Sequence, residues 1–340
     1  MVVSAYQNGD YRTAARIAEQ THQFAETELG PEHPSTLSSV NNLAGLYQAQ
    51  GRYGDAEPLF RQALTASEKV LGPQHPDTLT SVNNLAVLYQ SQGRYGNAES
   101  LFQRALAARE QNLGPEHPDT LSSMNNLAAL YQAQDRYGEA EALYQRALAA
   151  HEQVLGPEHP STLASVNNLA ALHESQGRYG DAESLLLRAL TAREQILGPE
   201  HPQTLRSVNN LAALYESQGR YGDAEPLYQR TLAAREQILG PEHPSTLASV
   251  NNLAALYESQ GRHGDAEPLF QRAFAAREQI LGPEHPDTHG VQLNFTANLV
   301  NQEKYQQALQ SLQRLEPRLL ELTALRLRNT RQERVRRQFL

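Results

Sequence analysis

Histidine is the residue type in this sequence best suited to chemistry, and one histidine recurs in each copy of a short LGPEHP-like segment. Structural zinc sites gather histidine and cysteine ligands at short spacings, and the chain has no cysteine. Neighbouring histidines of this set lie 42 residues apart. We therefore predict no metal site and no cofactor, and we expect each ring to shape its Pro-Glu-His-Pro turn by local hydrogen bonding. The seven residues are His33, His75, His117, His159, His201, His243 and His285.

Catalytic motifs are sparse along the whole chain. His151-Glu152 lacks the second histidine of a zinc-protease helix. No glycine-rich phosphate loop, nucleophile elbow or paired-carboxylate arrangement stands out. The glycines occur instead where helices would end. The sequence therefore predicts a protein that is not an enzyme.

Paired asparagines are a regular polar feature, because the tetrapeptide NNLA recurs six times. On a helix, the face opposite Val40, Leu43 and Tyr47 carries asparagine, serine and glutamine, and almost no charge. An amide offers both donors and an acceptor, which suits the main chain of a bound peptide. Alternatively, the asparagines hydrogen-bond between adjacent helices and hold the repeats together. The candidate peptide-binding residues are Asn41, Asn42, Asn83, Asn84, Asn125, Asn126, Asn167, Asn168, Asn209, Asn210, Asn251 and Asn252.

A second row of candidates is an arginine that recurs at one position further along each repeat. Its members are Arg109, Arg193, Arg235 and Arg277, with Ser67 and His151 at the same position in two other repeats. A guanidinium group there could pair with acidic side chains of a peptide that is bound by the asparagines. The alternative is an exposed arginine paired with its neighbouring glutamate, which contributes little to stability.

A third row changes its charge along the chain. Gln48, Gln90 and Gln132 are followed at the same position by Glu174, Glu216 and Glu258. If these side chains reach the binding surface, its second half is more acidic than its first. We expect such a surface to orient a ligand of mixed charge.

These residues are positioned by a 42-residue repeat, seen in Tyr53, Tyr95, Tyr137, Tyr179 and Tyr221. Residues 1–34 form a partial N-terminal repeat, so the chain begins inside a repeat and is expected to be a fragment of a longer protein or a frayed end. Residues 287–325 form a divergent capping repeat, and 326–340 form a basic tail. The six whole repeats are 35–76, 77–118, 119–160, 161–202, 203–244 and 245–286.

Each repeat has the pattern of two helices. In the first whole repeat, helix A is predicted from about Leu37 to Gln50, with Ser35 or Thr36 as its N-cap and Gly51 just beyond its end. Helix B begins near Gly54. Because a single helix pair cannot bury its apolar faces alone, the repeats must stack on their neighbours. The fold class is therefore all-α.

The motifs NNLAxLY, QGRY and AExLxxRAL resemble the tetratricopeptide repeat, and the 42-residue period with its LGPEHPxTL linker resembles the kinesin light chain subgroup. The resemblance covers roughly residues 1–315. It implies a right-handed superhelical solenoid of antiparallel helix pairs whose A helices line a concave groove. It also implies an adaptor or scaffold that binds a peptide segment in this groove through helix-A asparagines.

Charge and hydropathy limit the classes of partner that the sequence favours. The formal charge of −9 disfavours nucleic-acid binding, and no apolar run is long enough for a membrane span. We expect a cytoplasmic protein with a protein or peptide partner. Alternatives are a regulatory or sensor arm of a larger signalling protein, or a self-assembling repeat array and hence a homo-oligomer. The arginine-rich tail is either a solvated continuation of the last helix or a contact for an acidic partner.

Overall fold

The computed structural model describes residues 11–283 and 285–312, and every regular element within them is an α-helix. Within each unit, helices that follow one another in the chain pack against each other. They are α1 Tyr11–Leu29, α2 Pro34–Ala49, α3 Tyr53–Leu71, α4 Pro76–Ser91, α5 Tyr95–Leu113, α6 Pro118–Ala133, α7 Tyr137–Leu155, α8 Pro160–Ser175, α9 Tyr179–Leu197, α10 Pro202–Ser217, α11 Tyr221–Leu239, α12 Pro244–Ser259, α13 His263–Leu281, α14 Pro286–Asn301 and α15 Tyr305–Leu312. The even-numbered helices are the A helices, and the odd-numbered helices from α3 to α15 are the B helices. The chain divides into two compact units, Met1–Leu214 and Tyr215–Leu340.

The A helices begin three residues earlier than the sequence predicts, because histidine is their N-cap. In α2 the cap is His33, not Ser35 or Thr36, and Pro34 is the first helical residue. The ring nitrogen Nδ1 of His33 accepts a hydrogen bond from the backbone N–H of Ser35 at 3.2 Å. Proline fits the first helical position because its missing N–H would have no partner there. The predicted local hydrogen bonding of the linker histidines is thereby confirmed, and it recurs at six further residues: His75, His117, His159, His201, His243 and His285.

The turn between an A helix and the following B helix needs one residue in the left-handed conformation. Gly51 adopts φ 72° there, as predicted, and a glycine occupies the same place in most repeats. After α6 the residue at this place is Asp135, whose φ is 58°. A side chain at positive φ is strained, so this turn and the last one, where Glu303 has φ 62°, differ in their energetics from the turns that carry glycine.

Alanine allows the helices of the first unit to approach closely around aromatic side chains. Ala44, Ala56 and Ala98 are fully buried in one cluster with Phe60 and Phe102. In the second unit, Phe270 packs with Ala254 and Ala266, and the Phe274 and Phe295 rings stack with centroids 6.4 Å apart. The core is therefore continuous along each unit and has no single centre, as expected for stacked repeats.

At several turns between an A helix and its B helix, an arginine ties its repeat to the preceding one. The guanidinium group of Arg94 lies 4.1 Å from the ring centroid of Tyr89, and its Nη1 is 2.9 Å from the carboxylate of Glu57 on the preceding B helix. Arg136 contacts Tyr131 and Glu99 in the same way, and Arg262 contacts Tyr257 and Glu225 within the second unit. These half-exposed contacts fix the packing of successive hairpins.

The two ends of the described chain retain the repeat pattern. The helix α1 occupies the place of a B helix, and α14 with α15 forms the last hairpin. The predicted capping repeat at 287–325 is described only as far as Leu312, and the basic tail at 326–340 lies outside the described residues. The repeat boundaries given above remain predictions.

Candidate functional site

The first asparagine contacts a neighbouring A helix in at least three of the six pairs. Asn41 on α2 donates to the Ser81 hydroxyl on α4 at 2.9 Å, and Asn83 on α4 accepts from Asn126 on α6 at 2.8 Å. In the second unit, Asn251 accepts from Asn294 at 3.4 Å. These bonds match the alternative in which asparagines hold the repeats together.

The second asparagine of several pairs is differently placed. Asn42 is exposed, and Asn84, Asn168 and Asn210 are half-buried. Their side-chain amides form no hydrogen bond with any residue that the structure describes, whereas Asn126 is the member of this row that bonds to Asn83. The helices α2, α4, α8 and α10 therefore present unpaired amide groups at equivalent positions, whereas the equivalent amide of α6 is bonded.

Some first-position amides also carry a buried oxygen without a partner. Oδ1 of Asn41, Asn125 and Asn167 has no hydrogen-bond partner among protein atoms, although the Asn167 amide nitrogen donates to the Leu163 carbonyl within its own helix. Asn209 and Asn252 have partners. The two members of a pair thus differ in exposure and in bonding, so they are not equivalent candidates for ligand contact.

The arginine row lies between repeats, where Arg109 and Arg193 are buried and Arg235 and Arg277 are half-buried. Arg109 and Arg193 are 6 % and 1 % exposed, and Nη1 of Arg109 donates to the Ser123 hydroxyl at 2.9 Å and to the Asp119 carbonyl at 3.1 Å, both on the next A helix. Arg193 donates to Ser207, and Arg235 and Arg277 donate to the equivalent residues of the second unit. Burial lowers the pKa of Arg193 to about 10, assisted by the nearby positive charge of Arg206. These side chains hold the next helix in place. Their contact with a ligand stays a prediction, and their burial weighs against it.

Two repeats lack this arginine, and their hydrogen bonds change accordingly. In the first whole repeat, Ser67 replaces the arginine and the Ser81 hydroxyl accepts from Asn41 instead. In the third, His151 is buried and its Nδ1 lies 2.9 Å from the Ser165 hydroxyl. Burial lowers the pKa of His151 below its usual value, because the charged ring would lose its hydration. In four repeats the serine at this A-helix position is therefore the partner of the B-helix arginine or histidine, whereas beside Ser67 its partner is Asn41.

The row that changes from glutamine to glutamate is half-buried and internally bonded. Gln48 and Gln132 donate to serines one repeat ahead, at 3.3 and 2.9 Å. In the second unit, Glu216 accepts from the Tyr228 and Ser259 hydroxyls, and Glu258 lies 2.9 Å from His263 Nδ1. Glu174 also has a partner. These contacts occupy the side chains that were expected to set the charge of the surface.

A cleft of about 740 Å3 opens on the same surface at the first A helices. Its sides carry Asn41, Asn42 and Asn84 together with serine and glutamine, and Leu46 and Phe60 contribute apolar surface. Three of the twelve predicted asparagines are thus brought to one concavity. The cleft was not predicted from the sequence. A signal of it is that Ala18 and Gly45 are smaller than the residues at the same positions of the later repeats.

No group of three or more histidine, aspartate or glutamate side chains that could hold a metal ion occurs in residues 11–283 and 285–312. None of the helices in that part of the chain is both long and apolar enough to cross a membrane.

The fold and this surface define an α-helical repeat protein built from hairpins of one A and one B helix. The sequence profile described as tetratricopeptide repeat matches in seven overlapping placements, at residues 1–69, 38–111, 77–153, 119–195, 162–237, 208–279 and 245–321. The chain belongs to the tetratricopeptide repeat family. Proteins with this fold generally act as scaffolds for protein–protein interaction and not as enzymes.

Two named relatives share short segments with the chain. The protein kinesin light chain-related 2 of Arabidopsis thaliana is 49% identical over 43 residues, which are 13% of this chain and 6% of the relative. Nephrocystin-3 of Xenopus laevis is 40% identical over 45 residues, which are 13% of this chain and 4% of the relative. The chain thus matches less than a tenth of the length of either protein.

Solved structures confirm the predicted resemblance to kinesin light chain-like repeats. A crystal structure of nearly identical TPR-like repeats of a putative kinesin light chain from Podosopora anserina, in a variant form, has a TM-score of 0.50 and 33% identity. The alignment covers 60% of this chain and 97% of that one. BtubC (BKLC) from P. vanneervenii has a TM-score of 0.53 and 26% identity over 68% of this chain and 91% of its own. The all-α repeat fold predicted from the sequence is therefore confirmed.

Proposed function

We propose that this chain binds an extended segment of a partner protein along the surface of its A helices, through the second asparagine of several pairs. The observation that carries the proposal is that the amides of Asn42, Asn84, Asn168 and Asn210 form no hydrogen bond with the described residues. An extended peptide presents unpaired N–H and C=O groups, and an amide side chain can satisfy both kinds.

Beyond their first turns, α2, α4 and α6 carry no charged side chain, which supports main-chain recognition there over recognition of charged side chains. In these helices asparagine and leucine flank the second asparagine, and Gly45, Val87 and Ala129 lie three residues further on. The helix α10 differs, because exposed Arg206 lies four residues before Asn210. Hydrogen bonds to neutral amides contribute modestly, about 0.5–1.5 kcal/mol each. Several equivalent amides along one peptide are therefore needed for useful affinity.

The proposal assigns different tasks to the two asparagines of a pair. The first joins neighbouring A helices, as Asn41 and Asn83 do, and the second faces the ligand. The buried arginines are not part of the proposed ligand surface, because Arg109 and Arg193 are used between repeats. Their serine partners lie two residues before the asparagine pairs, so these arginines position the binding helices.

Selection of peptides from a displayed random library by the full chain tests the proposal. Peptides that wild type selects are then measured for affinity with the triple variant Asn84→Ala, Asn168→Ala, Asn210→Ala. We expect affinity to fall by about tenfold or more, because three amides at about 0.5 kcal/mol or more each are removed.

A matched control variant carries three changes on exposed B-helix positions: Ser100→Ala, Gln145→Ala and Ser184→Ala. It should bind the selected peptides as wild type does. Equal affinity of the asparagine variant and wild type, with both folded by circular dichroism, would refute the assignment of the binding surface.

A further inference from the structure

Two departures from the repeat place small residues where the other repeats have larger ones. At the position of Phe60 on the B helices, α1 has Ala18, whereas the later repeats have Phe102, Tyr144, Leu186, Tyr228 and Phe270. At the position of Gly45 on the A helices, the later repeats have Val87, Ala129, Ala171, Ala213 and Ala255. Because the repeats are otherwise nearly identical, these two reductions in size are specific to one end of the described chain.

Both small residues line the same cleft of about 740 Å3. A Cβ atom added to Gly45 would meet no other heavy atom within 4 Å, so the space beside it is open. Ala18, Leu46, Phe60 and Val87 supply apolar walls. The cleft therefore exists where side-chain volume has been removed from both helix types.

The edge of this cleft is made of uncharged polar groups. Asn42, Asn84, Gln48 and Ser38 line it, and no charged residue is among its lining residues. Asn42 and Asn84 are two of the asparagines whose amides have no partner among the described residues. Apolar walls and free amides thus meet at one place.

We infer that this cleft is an anchor pocket that takes one bulky apolar side chain, aromatic or leucine-like, of the bound segment, while Asn42 and Asn84 bind the main chain on either side of it. The inference rests on the proposed function and names the kind of partner it fits.

The chemistry of the lining selects this occupant. A charged side chain would lose hydration in the cleft without gaining an opposite charge. A large apolar side chain gains about 25 cal/mol for each Å2 removed from water, and a volume of about 740 Å3 lies within the roughly 300–1,000 Å3 typical of ligand sites. A central aromatic anchor with weaker polar contacts around it is also the usual distribution of binding energy at interfaces.

The pocket is tested with N-acetyltryptophan amide and N-acetylleucine amide, which join one apolar side chain to two peptide groups, and with N-acetylglycine amide as the probe that lacks the side chain. Binding to the full chain is followed by chemical-shift changes in amide-detected NMR spectra. We expect saturable binding of the first two probes with shifts at Asn42 and Asn84, and no saturation with the glycine probe.

Two variants fill the cleft with residues that other repeats carry, namely Gly45→Val and Ala18→Phe. Gly45→Val adds volume where no atom lies within 4 Å, and replacing glycine within a helix favours the folded state. Each variant should weaken binding of the tryptophan probe by at least tenfold. The matched control Ala129→Val places the same side chain at the equivalent position of α6, outside the lining residues, and should bind the probe as wild type does.

Equal binding of the tryptophan probe by Gly45→Val, Ala129→Val and wild type would overturn the pocket, and so would absence of saturable binding to wild type. If light scattering showed instead that Gly45→Val dissociates a dimer, the occupant would be a second copy and the inference would be wrong. Failure here is distinct from failure of the proposed function, since library peptides could still lose affinity in the triple asparagine variant.

Discussion

The side-chain amide of Asn126 donates a 2.8 Å hydrogen bond to Oδ1 of Asn83 on the preceding A helix. This bond joins residues 43 positions apart, one from the second place of a pair and one from the first. It shows that the asparagines can serve the packing of repeats, and it makes the absence of such a bond at Asn84, Asn168 and Asn210 informative. Sequence repetition alone could not separate these two uses.

Replacing Arg109 with alanine should reduce stability without reducing peptide affinity per folded molecule. The side chain is 6 % exposed and bonded to Ser123 and to the Asp119 carbonyl, so its removal leaves a cavity and unpaired groups that cost about 1–3 kcal/mol. Arg104→Ala on the same helix is the control, because it removes a surface pair with Glu68, worth at most about 1 kcal/mol, and an exposed 3.4 Å hydrogen bond to the Pro73 carbonyl. Thermal unfolding midpoints measure the difference. A larger loss of peptide affinity in folded Arg109→Ala than in Arg104→Ala would restore the arginine to the binding surface.

The capping role of histidine predicts a specific rescue. His159 Nδ1 accepts from the Ser161 N–H at 3.2 Å, so His159→Ala should destabilise the fold by about 1 kcal/mol, whereas His159→Asn keeps a capping acceptor. Glu158→Ala, at the exposed neighbouring residue, should have little effect. Unfolding midpoints in a denaturant titration rank the three variants. Equal midpoints for the alanine and asparagine variants at position 159 would contradict the cap.

Asp135→Gly should stabilise the protein by about 0.5–1 kcal/mol, because glycine adopts positive φ without strain. The gain is reduced by loss of the 2.6 Å bond that the Tyr137 hydroxyl donates to Asp135. Asp135→Ala loses the same bond and keeps a Cβ at φ 58°, so it should be destabilising. Calorimetric midpoints distinguish the two signs, and a lower midpoint for the glycine variant would show that the hydrogen bond outweighs the strain.

Two buried histidines predict that the first unit loses stability in mild acid. Burial lowers the pKa of His151 and of His173 below the usual 6.5, and the positive charge of Arg178 lowers the pKa of His173 further. The unfolded chain therefore binds protons before the folded chain does. Stability attributable to these rings is present above pH 6.5 and is lost as pH falls below it.

The substitutions His151→Arg and His173→Tyr introduce the residues that other repeats carry, such as Arg193 and Tyr131. The double variant should show a smaller fall in unfolding midpoint between pH 7.5 and pH 5.5 than wild type. An identical pH dependence would mean that other groups, such as the capping histidines, account for the acid sensitivity.

The sequence predicted the helix pairs and their repeat well, because apolar periodicity and glycine at helix ends are local signals. It placed the N-cap at Ser35 or Thr36 because those residue types are preferred there, whereas His33 takes the role once Pro34 begins the helix. Arg109 is buried because the next A helix packs over it. A pattern within one repeat cannot reveal this contact between repeats. The cleft could have been suspected from Ala18 and Gly45, since a smaller residue in a repeated core position leaves space.

The central claim is that second-position asparagines bind the main chain of a partner, and a double-mutant cycle tests it most directly. A library-selected peptide is compared with a version carrying one N-methyl group on the amide that contacts the chain, using wild type and Asn84→Ala, with affinities from fluorescence anisotropy. N-methylation removes a backbone donor, so in the asparagine variant it should cost several-fold less than in wild type, a coupling of about 1 kcal/mol. The cycle is repeated for each amide of the peptide and for the alanine variants of Asn42, Asn84, Asn168 and Asn210. If the affinity losses from N-methylation and from the asparagine substitution are strictly additive in every cycle, the account is contradicted.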